Sequence, residues 1–172
     1  MHPFHIVLIE PEIPPNTGNI ARLSAAAGAS LHLVGRLGFS LDDRYLKRAG
    51  LDYWDKVDLH RWESLEELRS SYPRARFWYL TTKSSRSCYG EGLFQSGDFL
   101  VFGRETAGLP EELLAANPDA CLTIPMPGKV RSLNLSNAVA VVLYEALRQT
   151  GMLNAGTAPP ENPTITNREA WV

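Results

Sequence analysis

The sequence predicts an α/β fold in which a mostly parallel sheet is covered by helices on both faces. Three observations predict it. Short apolar runs alternate with helix-like stretches along the whole chain, the signature of strand–helix–strand units. Runs such as residues 5–9 (HIVLI) read as buried strands. The three most unusual segments each follow an apolar strand and precede a helix, which is where ligands sit in open α/β sheets.

Each element has a local reason. After the strand at 5–9, residues 19–27 form a small-residue helix stopped by Gly28, which suits a left-handed cap. Residues 31–34 are the next strand, and Asp42 and Asp43 open a helix to Ala49 that Gly50 closes. Ser64 starts another helix with Glu66 and Glu67 in the first turn, where the helix dipole favours acids. Strands are expected at 77–81, 99–102 and 121–124, with Pro110 at the first position of a helix over 111–116. The last helix, 135–149, is apolar on every face between Ala138 and Leu143, so it needs cover all round. A subunit interface is a natural source of that cover. Residues 1–153 are read as one domain, and the Pro-rich polar stretch 154–172 as a flexible C-terminal tail.

Composition excludes several classes. At 172 residues, 44% hydrophobic and 21% charged, the chain is ordinary globular protein. Its longest apolar run, 138–143, is far short of the roughly 20 residues of a bilayer span. The N-terminus runs directly into a strand without a basic, cleavable leader, so a cytoplasmic location is expected. Cys88 and Cys121 form no CxxC pair, which gives neither a disulfide framework nor a metal site. Cys121 reads as packing, and Cys88 as a bystander in a polar loop. The formal charge of −2 does not advertise nucleic-acid binding, yet bases cluster at Arg44, Lys47 and Arg48, at Lys83 and Arg86, and at Lys129 and Arg131. Each cluster is either a solvated face or a phosphate contact.

The first unusual segment is 10–22, EPEIPPNTGNIAR, in which three prolines fix the backbone and Asn16 or Thr17 can cap the following helix. Arg22 falls about one turn into that helix, as a surface charge or as a working group. The second is 101–110, VFGRETAGLP, where Gly103 and Gly108 bracket Glu105. It lacks the GxGxxG spacing of dinucleotide sites, and no GxxxxGK[ST] occurs in the chain. The third is 124–137, IPMPGKVRSLNLSN, which sets Ser132, Asn134, Ser136 and Asn137 before an apolar helix, more polar side chains than capping needs.

Together, PPNTGNIAR (14–22), FGRETAGLP (102–110) and IPM with RSLNLSNA (124–138) resemble the three signature motifs of the SPOUT methyltransferases, in order and over about residues 4–150. The likeness is closest to the tRNA (cytidine/uridine-34) 2′-O-methyltransferase subgroup. GFSLDDR (38–44), KRAGLDY (47–53), LTTK (80–83) and NLSNA (134–138) are similar to that subgroup's sequences. The resemblance implies a C-terminal deep trefoil knot, which periodicity alone never predicts. It implies S-adenosylmethionine as cofactor, S-adenosylhomocysteine as its product, tRNA as partner, and a homodimer with helix 135–149 in the interface. Leu80, Gly103, Ile124, Met126 and Ser132 are then expected to line the cofactor pocket. Arg22 is expected as the central catalytic group, with Glu105, Ser132 and Asn134 orienting the ribose and Asn16 shaping the first loop. Arg44, Lys47, Arg48, Lys83, Arg86 and Arg131 are candidate RNA contacts, and no metal or membrane is implied. Three other readings share some of these features: 2′-O-methylation of another tRNA or rRNA ribose, a non-catalytic RNA-binding protein on this fold, and a small-molecule enzyme with a nucleotide cofactor.

Overall fold

The computed structural model describes residues 2–40 and 56–153. Six strands, β1 (Phe4–Ile9), β2 (Ser30–Val34), β3 (Leu59–Trp62), β4 (Phe77–Leu80), β5 (Asp98–Phe102) and β6 (Cys121–Leu122), form one sheet. The helices are α1 (Pro14–Ala27), α2 (Leu65–Ser71), α3 (Glu111–Ala116) and α4 (Leu135–Gln149). The strand order is β3-β2-β1-β5-β4-β6, and every pairing is parallel. The helix expected over 42–49 lies outside the described residues, as does the stretch 154–172.

Both faces of the sheet are buried, as a parallel sheet requires. On one face Phe4, Ile6, Leu8, Leu31, Leu33 and Leu100 pack under Ile20 and Ala21 of α1 and Val139, Val142 and Leu143 of α4. On the other, Val7, Val34, Phe99 and Val101 pack under Leu65 and Leu68 of α2, with Leu109 leading into α3. The alternation within β1, Ile6 and Leu8 to one side and Val7 to the other, assigns the two layers.

Several local expectations are corrected. The first helix begins at Pro14 and not near Asn19, with Pro14 and Pro15 in its opening turn. Proline has no amide to lose there and its fixed φ already suits a helix. Asn16 and Thr17 therefore lie inside α1, 5% and 0% exposed, and neither caps it. Pro110 stands at the cap of α3, one residue before its first helical position. The sixth strand is shorter than 121–124, because beyond Leu122 the chain leaves β4 and Thr123 bridges to Ser87. That bridge also removes Cys88 from solvent: its amide donates to the Thr123 carbonyl and its thiol is fully buried, which raises its pKa to about 11. Strand β3 was not anticipated, since LHRW carries too little apolar character to read as a strand. Two expected helix boundaries hold. Gly28 closes α1 at φ 66°, and the Ser64 hydroxyl accepts from the Glu67 amide at the start of α2.

All four histidines of the chain gather at β1–β3. His5 stacks on Phe99 and His32 on His60, while His2 and His60 both contact the Asp58 carboxylate. Trp62 Nε1 donates to His32 Nδ1 (2.9 Å), and indole nitrogen only donates, so the His32 proton sits on Nε2. That nitrogen faces Ser30 Oγ (3.1 Å) and His5 Nδ1 (3.0 Å). Burial, with the neighbouring imidazoles, lowers the pKa of His5 to about 4 and of His32 to about 3.

Candidate active site

The strand order turns around between β1 and β5, the switch point at which open parallel sheets bind ligands. Here the loops that follow β1, β4, β5 and β6, with the segment before α4, wall a cavity of about 460 Å³. That volume is within the range of small-molecule sites.

The three unusual segments meet through one chain of hydrogen bonds. The Glu105 carboxylate, after β5, accepts from the amides of Glu12 (2.9 Å) and Ile13 (3.2 Å) and from Asn16 Nδ2 (3.1 Å). Helix α1 has Ile13 at its N-cap position and no side-chain cap of its own, and its two prolines offer no N–H. An acid from another loop thus fills the role a local cap would have played. Asn16 in turn accepts from Asn134 Nδ2 (3.0 Å). Asn134 caps α4, its Oδ1 taking the Ser136 amide (2.9 Å) and hydroxyl (2.7 Å). Residues from all three segments are locked in one relay: Ser136, Asn134, Asn16, Glu105.

Loops β1–α1 and β5–α3 are clamped twice more. Glu12 accepts from the Thr106 amide (3.1 Å) and hydroxyl (2.8 Å), and Arg104 pairs with Glu10. Glu10 is the only non-glycine residue at positive φ (47°) among the described residues. Such a conformation costs about 1–3 kcal/mol and persists only where its surroundings impose it. Gly103 is packed more tightly still. A Cβ there would lie 2.1 Å from the carbonyl carbon of Gly108, with which Arg104 exchanges two backbone hydrogen bonds.

Leu80, Gly103, Ile124, Met126 and Ser132 all line the cavity, and so do Asn16, Lys83, Glu105, Arg131 and Asn134. Lys83 is paired with Glu111. Arg22 is exposed on α1 and does not belong to the lining. Arg86 faces a separate depression, over Trp78, and donates to the Asp119 carbonyl. Arg44, Lys47 and Arg48 lie outside the described residues. Sequence reasoning missed Glu10, Glu12, Arg104 and Thr106. The positive φ of Glu10 leaves no mark in sequence, because nothing in a Glu-Pro-Glu string announces it.

An adenosyl ligand fits this lining. Leu80, Ile124, Met126 and Leu135 offer apolar surface for a flat base, and Ser132, Asn134 and the backbone of 103–108 offer polar groups. Among the described residues no group of His, Cys, Asp or Glu is arranged to hold a metal ion.

A cleft at the switch point of a parallel sheet, walled by three polar loops, defines a ligand-binding α/β protein built for a part-apolar, part-polar molecule. Comparison with known proteins narrows that class. The SpoU rRNA methylase family profile matches residues 3–144, and the chain belongs to this family. It is 52% identical over 161 residues to a tRNA (cytidine(34)-2′-O)-methyltransferase of Acidovorax sp. (strain JS42), covering 91% of this chain and 98% of that one. A solved structure concerned with 2-OH methylation of C/U34 on tRNA superposes with a TM-score of 0.81 at 50% identity, covering 86% of this chain and 96% of the other. An AdoMet-bound rRNA methyltransferase from Sinorhizobium meliloti is more distant, at 28% identity and a TM-score of 0.76, covering 86% of this chain and 58% of that one.

Proposed function

We propose that this chain transfers the methyl group of S-adenosylmethionine to the ribose 2′-hydroxyl of nucleotide 34 in the tRNA anticodon, a cytidine or a modified uridine. The observation that carries this reading is identity of about half the residues, over nearly the full length, to proteins named for that reaction. The rRNA relative matches at 28%, so an rRNA ribose is the weaker alternative.

S-adenosylmethionine brings an already activated methyl group, which leaves the protein two tasks: to align the ribose oxygen and to remove its proton. Leu80, Gly103, Ile124, Met126 and Ser132 hold the cofactor. Ser132 and Asn134 orient the ribose. Glu105 is already taken up by three hydrogen bonds, so it works by positioning Asn16 and the first loop rather than as a base. Arg22 is the central catalytic group. A guanidinium with a pKa above about 12 is a poor base, so it contacts an RNA phosphate and, directly or through it, helps to deprotonate the 2′-hydroxyl. Lys83 and Arg131, which line the cavity, contact the RNA backbone, and Arg44, Lys47 and Arg48 are further candidate contacts outside the described residues. Arg86 would reach RNA only outside the cavity.

The remainder of the reading concerns the whole chain. Residues 1–153 form the catalytic domain, 154–172 a tail, and the protein works in the cytoplasm; no helix among the described residues is long and apolar enough to cross a membrane. The segment after β6 forms a trefoil knot. Its support is that β6 lies at one edge of the sheet while α4 returns to pack on α1 and β5. Two copies pair through α4. Tyr144 is 45% exposed there, and Ala140 and Val141 are only half covered.

The deciding experiment incubates the protein with tRNA from cells lacking the methyltransferase and labelled S-adenosylmethionine, then maps the product by nuclease digestion and mass spectrometry. A ribose methyl at position 34 is expected. A methyl elsewhere overturns the substrate and keeps the chemistry. Arg22→Ala should cut transfer at least 100-fold, in the range of lost acid–base catalysis, with an unchanged melting temperature.

A further inference from the structure

Glu10 and Arg104 are used by none of the roles assigned so far, yet the chain holds them under unusual constraint. Glu10 follows β1 in the left-handed region, at φ 47°. Its side chain occupies a niche left by Gly35, after β2, where an added Cβ would come within 2.9 Å of Glu10 Cγ. Gly38 receives the next turn of the same loop, its amide donating to the Pro11 carbonyl (3.0 Å) and its Cα facing Glu12. The loops after β1 and β2 are thus shaped together, and their result is a carboxylate presented to Arg104. An exposed ion pair returns less than a left-handed backbone costs a non-glycine residue, so the pair alone does not account for the strain.

We propose that Glu10 is a positioning residue that holds the Arg104 guanidinium at the mouth of the cavity, where Arg104 binds a phosphodiester of the RNA beside the reacting ribose. This rests on the reading above of an RNA ribose as methyl acceptor. Arg104 lines the cavity, and its side chain is 44% exposed. The ion pair engages Nη2 only, and the planar fork carries five donors in all, so a second oxyanion can be taken while Glu10 remains in place. Position in the sheet separates a phosphate from the methionine carboxylate of the cofactor. Of the expected cofactor residues, Leu80, Ile124 and Met126 follow β4 and β6, while Gly103, beside Arg104 after β5, has no side chain to offer. The Glu10–Arg104 pair joins the ends of β1 and β5, which are neighbours in the sheet, and Glu10 packs against Gly35 after β2.

Binding of full-length tRNA to the intact protein, measured across a salt series, tests this together with steady-state kinetics. Arg104→Gln should raise KM for tRNA roughly tenfold and reduce the salt slope by about one phosphate contact, leaving KM for S-adenosylmethionine unchanged. Arg104→Lys should recover the slope but not the affinity, because a point charge lacks the fork. Glu10→Gln should weaken tRNA binding in the wild-type background and have no effect in the Arg104→Gln background, the non-additivity of a coupled pair. A wild-type salt slope and tRNA KM in Arg104→Gln would overturn the proposal. So would a rise in KM for S-adenosylmethionine alone, or additive effects of the two substitutions. Mapping the methyl made by the wild-type protein tests the choice of nucleotide separately, since the salt slope is read whichever ribose is modified.

Discussion

Gly103 shows how far a single position can govern the cavity. Its backbone lies against Gly108, and a methyl group would fall 2.1 Å from a carbonyl carbon that belongs to the same closed loop. No flexible side chain is available to yield, so Gly103→Ala must open the loop that carries Arg104, Glu105 and Thr106. The expected outcome is at least a tenfold loss of methyl transfer and weaker S-adenosylmethionine binding by calorimetry. The accompanying destabilisation should be about 1–3 kcal/mol, typical of overpacking. Gly103 was legible in the sequence as one of two glycines bracketing Glu105, and its place in a cofactor pocket only through resemblance. Its neighbour Glu105 was legible as a site residue, but its work was not: the partners of its carboxylate come from residues as far as 93 positions away.

Helix starts carry the next level of organisation. Neither α1 nor α4 begins independently of the site, because Glu105 serves the first and Asn134 the second, and Asn16 joins them. Asn134→Ala should therefore remove a cap worth about 1 kcal/mol and leave the Asn16 side-chain oxygen short of a donor, a further cost of about 1–3 kcal/mol. Asn134→Asp separates the two effects. It keeps the cap oxygen at the start of α4 but can no longer donate to Asn16, so it should melt between wild type and Asn134→Ala while methyl transfer falls. Equal melting temperatures for the Ala and Asp variants would show that the cap contributes nothing. The polar cluster at 132–137 was visible in sequence as more than capping requires, and the relay explains the excess. The onset of α1 was misread for a related reason: Asn16 looks like a cap by residue type, yet its partners are tertiary.

Two predictions concern the molecule as a whole. His5 and His32 are neutral in the fold, with pKa values near 4 and 3, whereas an unfolded chain protonates both near 6.5. The unfolded state then binds more protons as pH falls below about 6.5, so stability is fully present above that pH and is lost on the way down to about 4 for His5 and 3 for His32. Protonating His32 also costs the Trp62 hydrogen bond, since Nδ1 then becomes a donor. The urea midpoint should be constant between pH 7 and 8 and fall steadily from pH 6.5 to 4.5. The slope has a ceiling of about 1.4 kcal/mol per pH unit for each of the two histidines. A flat midpoint over that window would remove the linkage. The second prediction concerns the proposed assembly: if two copies pair through α4, Tyr144→Asp on its exposed side converts the dimer to a monomer in sedimentation without unfolding the chain.

The layered α/β architecture, the caps at Gly28 and Ser64 and the three segments that build the cavity could all be read from local pattern. Apolar runs, glycine stops and capping residues act within a few positions along the chain, so they leave short-range signatures. Which segments face each other could not be read that way. The switch point between β1 and β5, the acid that caps a helix from another loop, the burial of Cys88, and the left-handed Glu10 that meets Arg104 all depend on partners far apart in sequence. Their energies come from pairing and packing that exist only once the strands are in order.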